Sequence, residues 1–460
     1  MSAPSALPPD LAAALPGSVG TAERDFLARL AAARVVGRPV RLLDAMQAKR
    51  LLAAHLPPET AFAAARPLLD LDAGVGLRRL PLMGLLDAVH ETGTLVAMFH
   101  EAGPPFTCRP PRVVGPGRIP ALTGRPRSVF AGLLPRATVF ARSAAIVQDG
   151  RLILDTQPGE LDAVPAELAF DPQIFRREGA EVLALDDRAP AREIALERAW
   201  SLMGINSIHF GHWSIEYLLQ FLTGRDLPGF AAAPVLIDAG MPAQHRQSLE
   251  AFAPPGLRLI EVAAGTRVRV EALQVVANWA YCPHHITTDH QGWDPSVFVG
   301  AFDKAAAVYR AAGAALERHQ GAIAAPGLFW ARDNARHRAI ANHAEVTALL
   351  AARGFAAHLP ETMPFAEQIA RLRGAHHVVV QNGSAAHGLF FGRAGTQVCY
   401  LSHPSLPLFA LVAELLQQQG QQVTVLTGPM AAPAAGYVER TGYEIPLDRL
   451  AGFLDNGADG

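Results

Sequence analysis

Residues 326–400 read PGLFWARDNARHRAIANHAEVTALLAARGFAAHLPETMPFAEQIARLRGAHHVVVQNGSAAHGLFFGRAGTQVCY, and this stretch decides the fold. Its apolar runs and amphipathic segments alternate as strand, helix, short strand, helix, strand, glycine turn, helix and strand, which predicts an α/β unit. The polar residues gather just after the strands. In such folds ligands bind in the crevice beyond the carboxyl ends of the strands.

Downstream, GTQVCYLS and QQVTVLTG read as further strands around a helix over about 406–419, and YEIPLDRLAGFLDN ends the chain with Asp448 in a first helical turn. Upstream, ATVFARSAAIVQDGRLILDT predicts strands with a turn at Asp149-Gly150. EIALERAWSLMG predicts a strand or short helix, then PVLIDAG a buried strand, AQHRQSLEAFA a helix, and LRLIEV and ALQVVANW two more strands. A long helix follows from SVFVGAFDKAAAVYRAAGAALERH. Residues 1–20 are rich in Pro, Ser and Ala; from Thr21 to about His100 the chain, including LPLMGLLDAVHETGTLVAMFH, carries the three-to-four spacing of helices, and a connector over 103–128 is dense in proline and glycine. The expected organisation is residues 1–129 as a helical extension with a Pro/Gly-rich connector, 130–325 as one α/β domain and 326–460 as a second.

With 460 residues, half of them hydrophobic, and a formal net charge of −2, the chain describes a globular protein of more than one domain. That balance argues against a nucleic-acid binder held by phosphate attraction. Lys49 and Lys304 are the only lysines, so anion binding falls to arginine and a Schiff-base mechanism is disfavoured. Cys108, Cys282 and Cys399 are far apart, which points to a reducing compartment without a disulfide framework or structural zinc. The N-terminal MSAPSALPPDLAAALPGS has no basic region followed by an apolar run, and no apolar stretch is long enough to span a membrane.

Within HHVVVQNGSAAHGLFF, Gly383 is expected to let the chain turn sharply beside Asn382 and Ser384, with the N–H groups of the next helix free to receive phosphate oxygens. Neither GK[ST] nor GxGxxG is present. Arg332 and Arg336 lie one helical turn apart, and Arg338, Asn342 and Glu345 form a second stripe. A strand-end arginine beside a glycine turn suits a diphosphate. Glu367 and Gln368 open the helix in PFAEQIARL, placed either to bind a nucleoside or to complement the helix dipole. In HFGHWSIEYLL, His212 and Glu216 share a helix face, and either could deprotonate a hydroxyl; His209 is a second candidate. The loop PHHITTDHQGWD, with His284, His285, Asp289 and His290, lacks a recognised metal-ligand pattern, and Asp238 is expected to cap a helix.

As an ordered set, FWARDNARHRAIANHAE, PFAEQ and VVVQNGSAAHGLFF resemble the motifs of glycosyltransferase family 61, whose bacterial members are often described as capsular polysaccharide biosynthesis proteins. The resemblance sets Arg332, Arg338, Asn342, Glu345, Glu367, Gln368 and Gly383 on family positions, and the HFGHWSIEYLL segment carries His212 and Glu216 across. The family's loop histidine corresponds to Asn382, its following alanine to Ser384 and its later asparagine to Gly388, with His387 one place earlier.

The resemblance implies a GT-B-like pair of Rossmann-type domains facing across a cleft, beside the mostly helical N-terminal segment. It implies an inverting, metal-independent transferase with no cofactor beyond a nucleotide-sugar donor, a UDP-sugar being one such donor. The C-terminal domain would hold that donor through Arg332, Arg338, Asn342, Glu345, Glu367, Gln368, Asn382, Gly383, Ser384 and His387. His212 or Glu216 would act from the 130–325 acceptor side, and domain closure would unite the two. Partners are then the nucleotide sugar and a glycan, lipid-linked glycan or protein acceptor, in the cytoplasm or peripheral to the inner membrane. The departures in the glycine loop also fit a noncatalytic nucleotide-sugar or glycan-binding protein.

Overall fold

The computed structural model describes every residue except 1–6, 39, 72–73, 164–166, 187–191, 283–293, 333–337, 403–408, 431–440 and 457–460. Two sheets organise it. In the first, strands β1 (Val129–Phe140), β2 (Arg192–Ser201), β3 (Val235–Asp238), β4 (Leu259–Val262) and β5 (Thr266–Val276) lie in the order β4-β3-β2-β5-β1. The first four of that order run parallel, and β1 pairs antiparallel to β5. Beyond β1 the sheet continues through shorter strands, and at its hairpin Asp149 (φ 46°) and Gly150 (φ 77°) take the paired left-handed conformations of a tight two-residue turn.

The second sheet is parallel throughout. Its strands are β6 (Ala325–Trp330), β7 (Phe355–His358), β8 (Ala375–Gln381), β9 (Gln397–Ser402) and β10 (Gln422–Thr427), in the order β7-β6-β8-β9-β10. Strands β8 and β9 are buried along most of their length, as a sheet covered on both faces requires. The expected two α/β domains of GT-B-like architecture are therefore present, with helices over Thr21–Val35, Leu42–His55 and Pro58–Ala65 beside them.

Residues 77–128 differ from the helical and connector reading. Leu77–Gly84 is a strand between Glu181–Leu185 and Arg151–Leu154, Leu95–His100 pairs with β1, and Arg112–Val114 joins the far edge of β10. Available edges in both sheets override the local helical spacing of LPLMGLLDAVH, which keeps only Leu85–Glu91 as helix.

The two sheets share one apolar core. Helix α1 (Ala243–Phe252) of the first domain ends in Phe252, whose ring stacks on Phe391 at 5.3 Å and meets Phe365 edge-on at 5.8 Å, both from the second. Helix α2 (Phe302–Gln320) runs between the domains and places Tyr309 edge-on to Phe391 at 5.2 Å, its hydroxyl donating to the Ser214 carbonyl. At the N-terminal end, Lys49 is only 1% exposed and donates to the carbonyls of Asp171 (2.5 Å) and Ile174 (2.6 Å), tying the Leu42–His55 helix to the first sheet.

Phe391→Ala should cost about 3–5 kcal/mol of stability in urea unfolding, because it empties a core shared by both sheets. Burial lowers the Lys49 pKa to about 7 from 10.5, against the opposing pull of Asp171. Between those values the unfolded chain binds the extra proton, so stability rises with pH. Relative to Lys49→Met, wild type should gain up to about 1.4 kcal/mol per pH unit between pH 7.5 and 9.5. A flat difference across that range would contradict the lowered pKa of Lys49.

Candidate functional site

The second sheet reverses its winding between β6 and β8: β6 is followed by β7 on one side and β8 on the other. The crevice beyond the carboxyl ends of two such strands is the general ligand position in open α/β sheets. Arg332 lies just past β6 and Gly383 just past β8, and the Arg332 Nη1 donates to the Asn382 carbonyl at 2.9 Å. A Cβ on Gly383 would stand 2.6 Å from that same nitrogen. Glycine is thus needed here for close approach. The expected sharp turn is not the reason, since its φ of 162° is extended backbone.

The loop is held from three sides, by Trp330 Nε1 donating to the Ala385 carbonyl (3.1 Å), the Tyr400 hydroxyl to the Gly383 carbonyl (3.4 Å) and Asn382 Nδ2 to Ser402 Oγ (3.0 Å). The helix expected after Gly383 is a 3-10 helix over Ser384–Phe391. Burial, and next the charge of Arg338, hold the Arg332 guanidinium below its ordinary pKa. Arg338 adopts a left-handed φ of 55°, and its buried Nε has no hydrogen-bond partner among the described residues. Among those residues neither arginine is in a salt bridge. A left-handed backbone at a non-glycine residue and a buried donor without a partner are both energetic costs.

A cleft of about 650 Å³ opens here, lined on the second domain by Arg332, Glu361, Gln368, Gly383 and Ser384, and on the first by Phe210, Gln244 and His245. Several expected ligand contacts take other roles. Asn342 spends both ends of its amide on the backbone of Ile445, donating to the carbonyl (2.8 Å) and accepting from the N–H (2.9 Å). Glu345 is exposed in the first turn of its helix, and Glu367 is chelated by Arg371. Gln368 lines the cleft while its Nε2 donates to the carbonyls of Pro360 (2.7 Å) and Met363 (3.0 Å), shaping the wall. Arg336 lies outside the described residues, as do His284, His285, Asp289 and His290.

The first sheet has its own reversal, between β2 and β5. The chain leaving β2 forms the loop that carries His209, Phe210 and His212. Asp238, at the end of β3, organises that loop: its carboxylate accepts from Gly204 N–H (2.9 Å), Ser207 Oγ (2.7 Å) and Arg142 N–H (2.6 Å). It caps no helix. Burial raises its pKa, and these bonds oppose the rise.

The Ser207 carbonyl in turn accepts from His245 Nδ1 at 2.8 Å, and the His245 ring lies flat on Trp213 at 5.1 Å. Because a carbonyl only accepts, His245 carries its proton on Nδ1; burial brings its pKa down to about 4. This imidazole lines the same cleft as Arg332, and the sequence reading passed over it. Its position just beyond the buried PVLID strand was the available signal.

His212 and Glu216 do come together, the His212 Nδ1 sharing a hydrogen bond with the Glu216 carboxylate, which is 6% exposed behind it. They sit where a short α-turn passes into a π-helix over Trp213–Leu218, an unusual winding often found at functional sites. His212, however, lines a second pocket of about 130 Å³, separate from the Arg332 cleft. Between the two, Gly211 packs against Ser384 and His387, whose Nδ1 stands 3.1 Å from the Gly211 carbonyl and 2.8 Å from Ser214 Oγ. His387 is therefore a clasp between domains, with a pKa brought down to about 4 by burial. Burial lowers His209 as well.

Among the described residues, no group of three or more His, Cys, Asp or Glu side chains is placed to hold a metal ion, and no helix is long and apolar enough to cross a membrane. No curated protein matches the chain. The family model described as Glycosyltransferase 61 matches residues 210–399, which take in the His212 turn, the Arg332 strand end and the Gly383 loop. Over that part, the chain is similar to the Glycosyltransferase 61 family.

Proposed function

We propose that this protein is an inverting glycosyltransferase that moves a sugar from a nucleotide-sugar donor, a UDP-sugar being one such donor, to a hydroxyl of a glycan or related acceptor. The observation that supports it most is the Arg332 guanidinium seated against Gly383 at the β6/β8 reversal, with Arg338 beside it. The diphosphate would lie across these two cations. As the bond from the anomeric carbon to the phosphate oxygen breaks, negative charge builds on the departing nucleoside diphosphate, and fixed guanidinium groups stabilise it. The wall around Glu361 and Gln368 would face the nucleoside.

The acceptor oxygen attacks the anomeric carbon from the opposite face, and its proton passes to Nε2 of His212. Glu216, held at Nδ1 and buried, orients the ring and stabilises the imidazolium that forms. Between the two residues that the sequence left open, this arrangement favours His212 as base and Glu216 as its positioning partner. The shared aromatic core works against large domain closure, so water exclusion would fall to the cleft as built. The setting that fits is polysaccharide or glycoconjugate biosynthesis in the cytoplasm or on the inner face of a membrane.

Arg332→Ala should weaken nucleoside diphosphate binding about 10- to 100-fold in calorimetry, the loss of a charge-assisted hydrogen bond, with little change in melting temperature. Gly383→Ala should reproduce much of that loss by pushing the guanidinium aside while the fold persists. Unchanged affinity in both would reject the donor site. His212→Ala should lower kcat by about 10²- to 10⁴-fold at unaltered nucleotide affinity. A panel of UDP-, GDP- and CMP-sugars with product detection completes the test, and binding without transfer to any acceptor would favour a noncatalytic scaffold.

A further inference from the structure

The pocket beside His212 differs in chemistry from the Arg332 cleft. It occupies the first sheet's winding reversal, the position in that domain corresponding to Arg332 and Gly383 in the other. One wall is Ile215 from the π-helix and Trp279 from the chain leaving β5. The others are Phe298 from the 3-10 turn before α2, Phe302 at the start of α2, and Leu411 and Leu415 from the helix over Phe409–Gln418 in the second domain. Beside these, His212 supplies an imidazole, and Tyr281, its ring stacked on Phe298, a phenol. Cys282 is also there, but burial raises its thiol well above the ordinary range and its Sγ points to the Ala280 carbonyl, so it is no thiolate nucleophile.

A sugar ring placed in this lining would find few partners beyond His212 and Tyr281 and leave most of its hydroxyls unpaired, a cost of burial that an alkyl chain does not incur. A lining in which aromatic and aliphatic side chains predominate to this extent accommodates hydrocarbon readily. We propose that it is an acceptor subsite for an alkyl or acyl chain, carried close to the hydroxyl that His212 deprotonates. This deepens the proposed function and rests on it for the role of His212. The acceptor class is then an apolar-chain conjugate such as a lipid-linked glycan, bound with its polar end toward the Arg332 cleft and its chain among Trp279, Phe302 and Leu415.

The test uses the full chain and an alkyl glycoside with a terminal bromine on the chain, below its micelle concentration. Bromine quenches a tryptophan that it touches, and Trp279 is in the lining. Saturable quenching is expected, removed at least tenfold more effectively by the octyl glycoside than by the methyl glycoside, and largely lost in Trp279→Phe. Ala305→Phe, which fills the pocket, and Val412→Gln, at a half-buried rim position that leaves the core intact, should each weaken quenching at least fivefold. Nucleoside diphosphate affinity should stay within twofold in both. Equal competition by the octyl and methyl glycosides, or quenching untouched by either pocket variant, would overturn the subsite. Quenching as expected in a protein that binds no nucleoside diphosphate would uphold the subsite and remove the donor reading instead.

Discussion

The stack of Phe252 on Phe391, closed by Phe365 and Tyr309, is the contact on which the arrangement of this molecule depends. Each ring comes from a different element, and together they weld the covering helices of one sheet to those of the other. Interiors packed in this way transmit displacement and do not absorb it. The positions of Gly211 against His387, and of Gln244 and Gln247 against the Glu361 carbonyl and Phe365 N–H, are therefore set by the same seam. So is the opposition of the two winding reversals. Two-lobed enzymes with small polar interfaces move as rigid bodies, whereas an aromatic joint of this extent favours a standing cleft.

Local sequence carried most of the secondary structure because the two α/β units alternate cleanly. Strand ends after GLFW and HHVVVQ placed Arg332 and Gly383 in one crevice without any knowledge of their contact. For two of the amides among the candidate residues, the groups that hold the side chain are backbone. Asn342 and Gln368 have the side chains of ligand-binding amides, yet their partners are Ile445, Pro360 and Met363. Residue type and spacing do not distinguish an amide that reads a ligand from one that staples a turn. His245 escaped for the complementary reason: its orienting carbonyl, on Ser207, is supplied by a loop distant in sequence, and its place after a buried strand is a weak signal for a single histidine on an amphipathic helix. The strand Leu77–Gly84 was hidden because its partners, not its own spacing, make it a strand.

The electrostatics divide the molecule along the seam. On the second-domain side, two guanidinium groups stand close enough for one to depress the pKa of the other, and one of them takes a left-handed backbone to do so. On the first-domain side, His245 is buried and uncharged, and the Asp238 carboxylate is surrounded by donors. Two like charges held this close, one of them partly buried, carry an energetic cost, which the Glu361 carboxylate on the cleft wall offsets only in part.

The short strand Arg112–Val114 lies on the outer edge of β10, far from it in the chain, with Thr427 Oγ1 donating to the Pro116 carbonyl at 2.7 Å. The C-terminal sheet thus borrows its last strand from a segment synthesised long before β10 leaves the ribosome. A fragment cut at residue 326 would retain the arginine crevice but bare a parallel edge, the kind of surface that recruits other chains. The C-terminal half of this protein is consequently not a free-standing module, and gene truncation at the apparent domain boundary would sever a sheet.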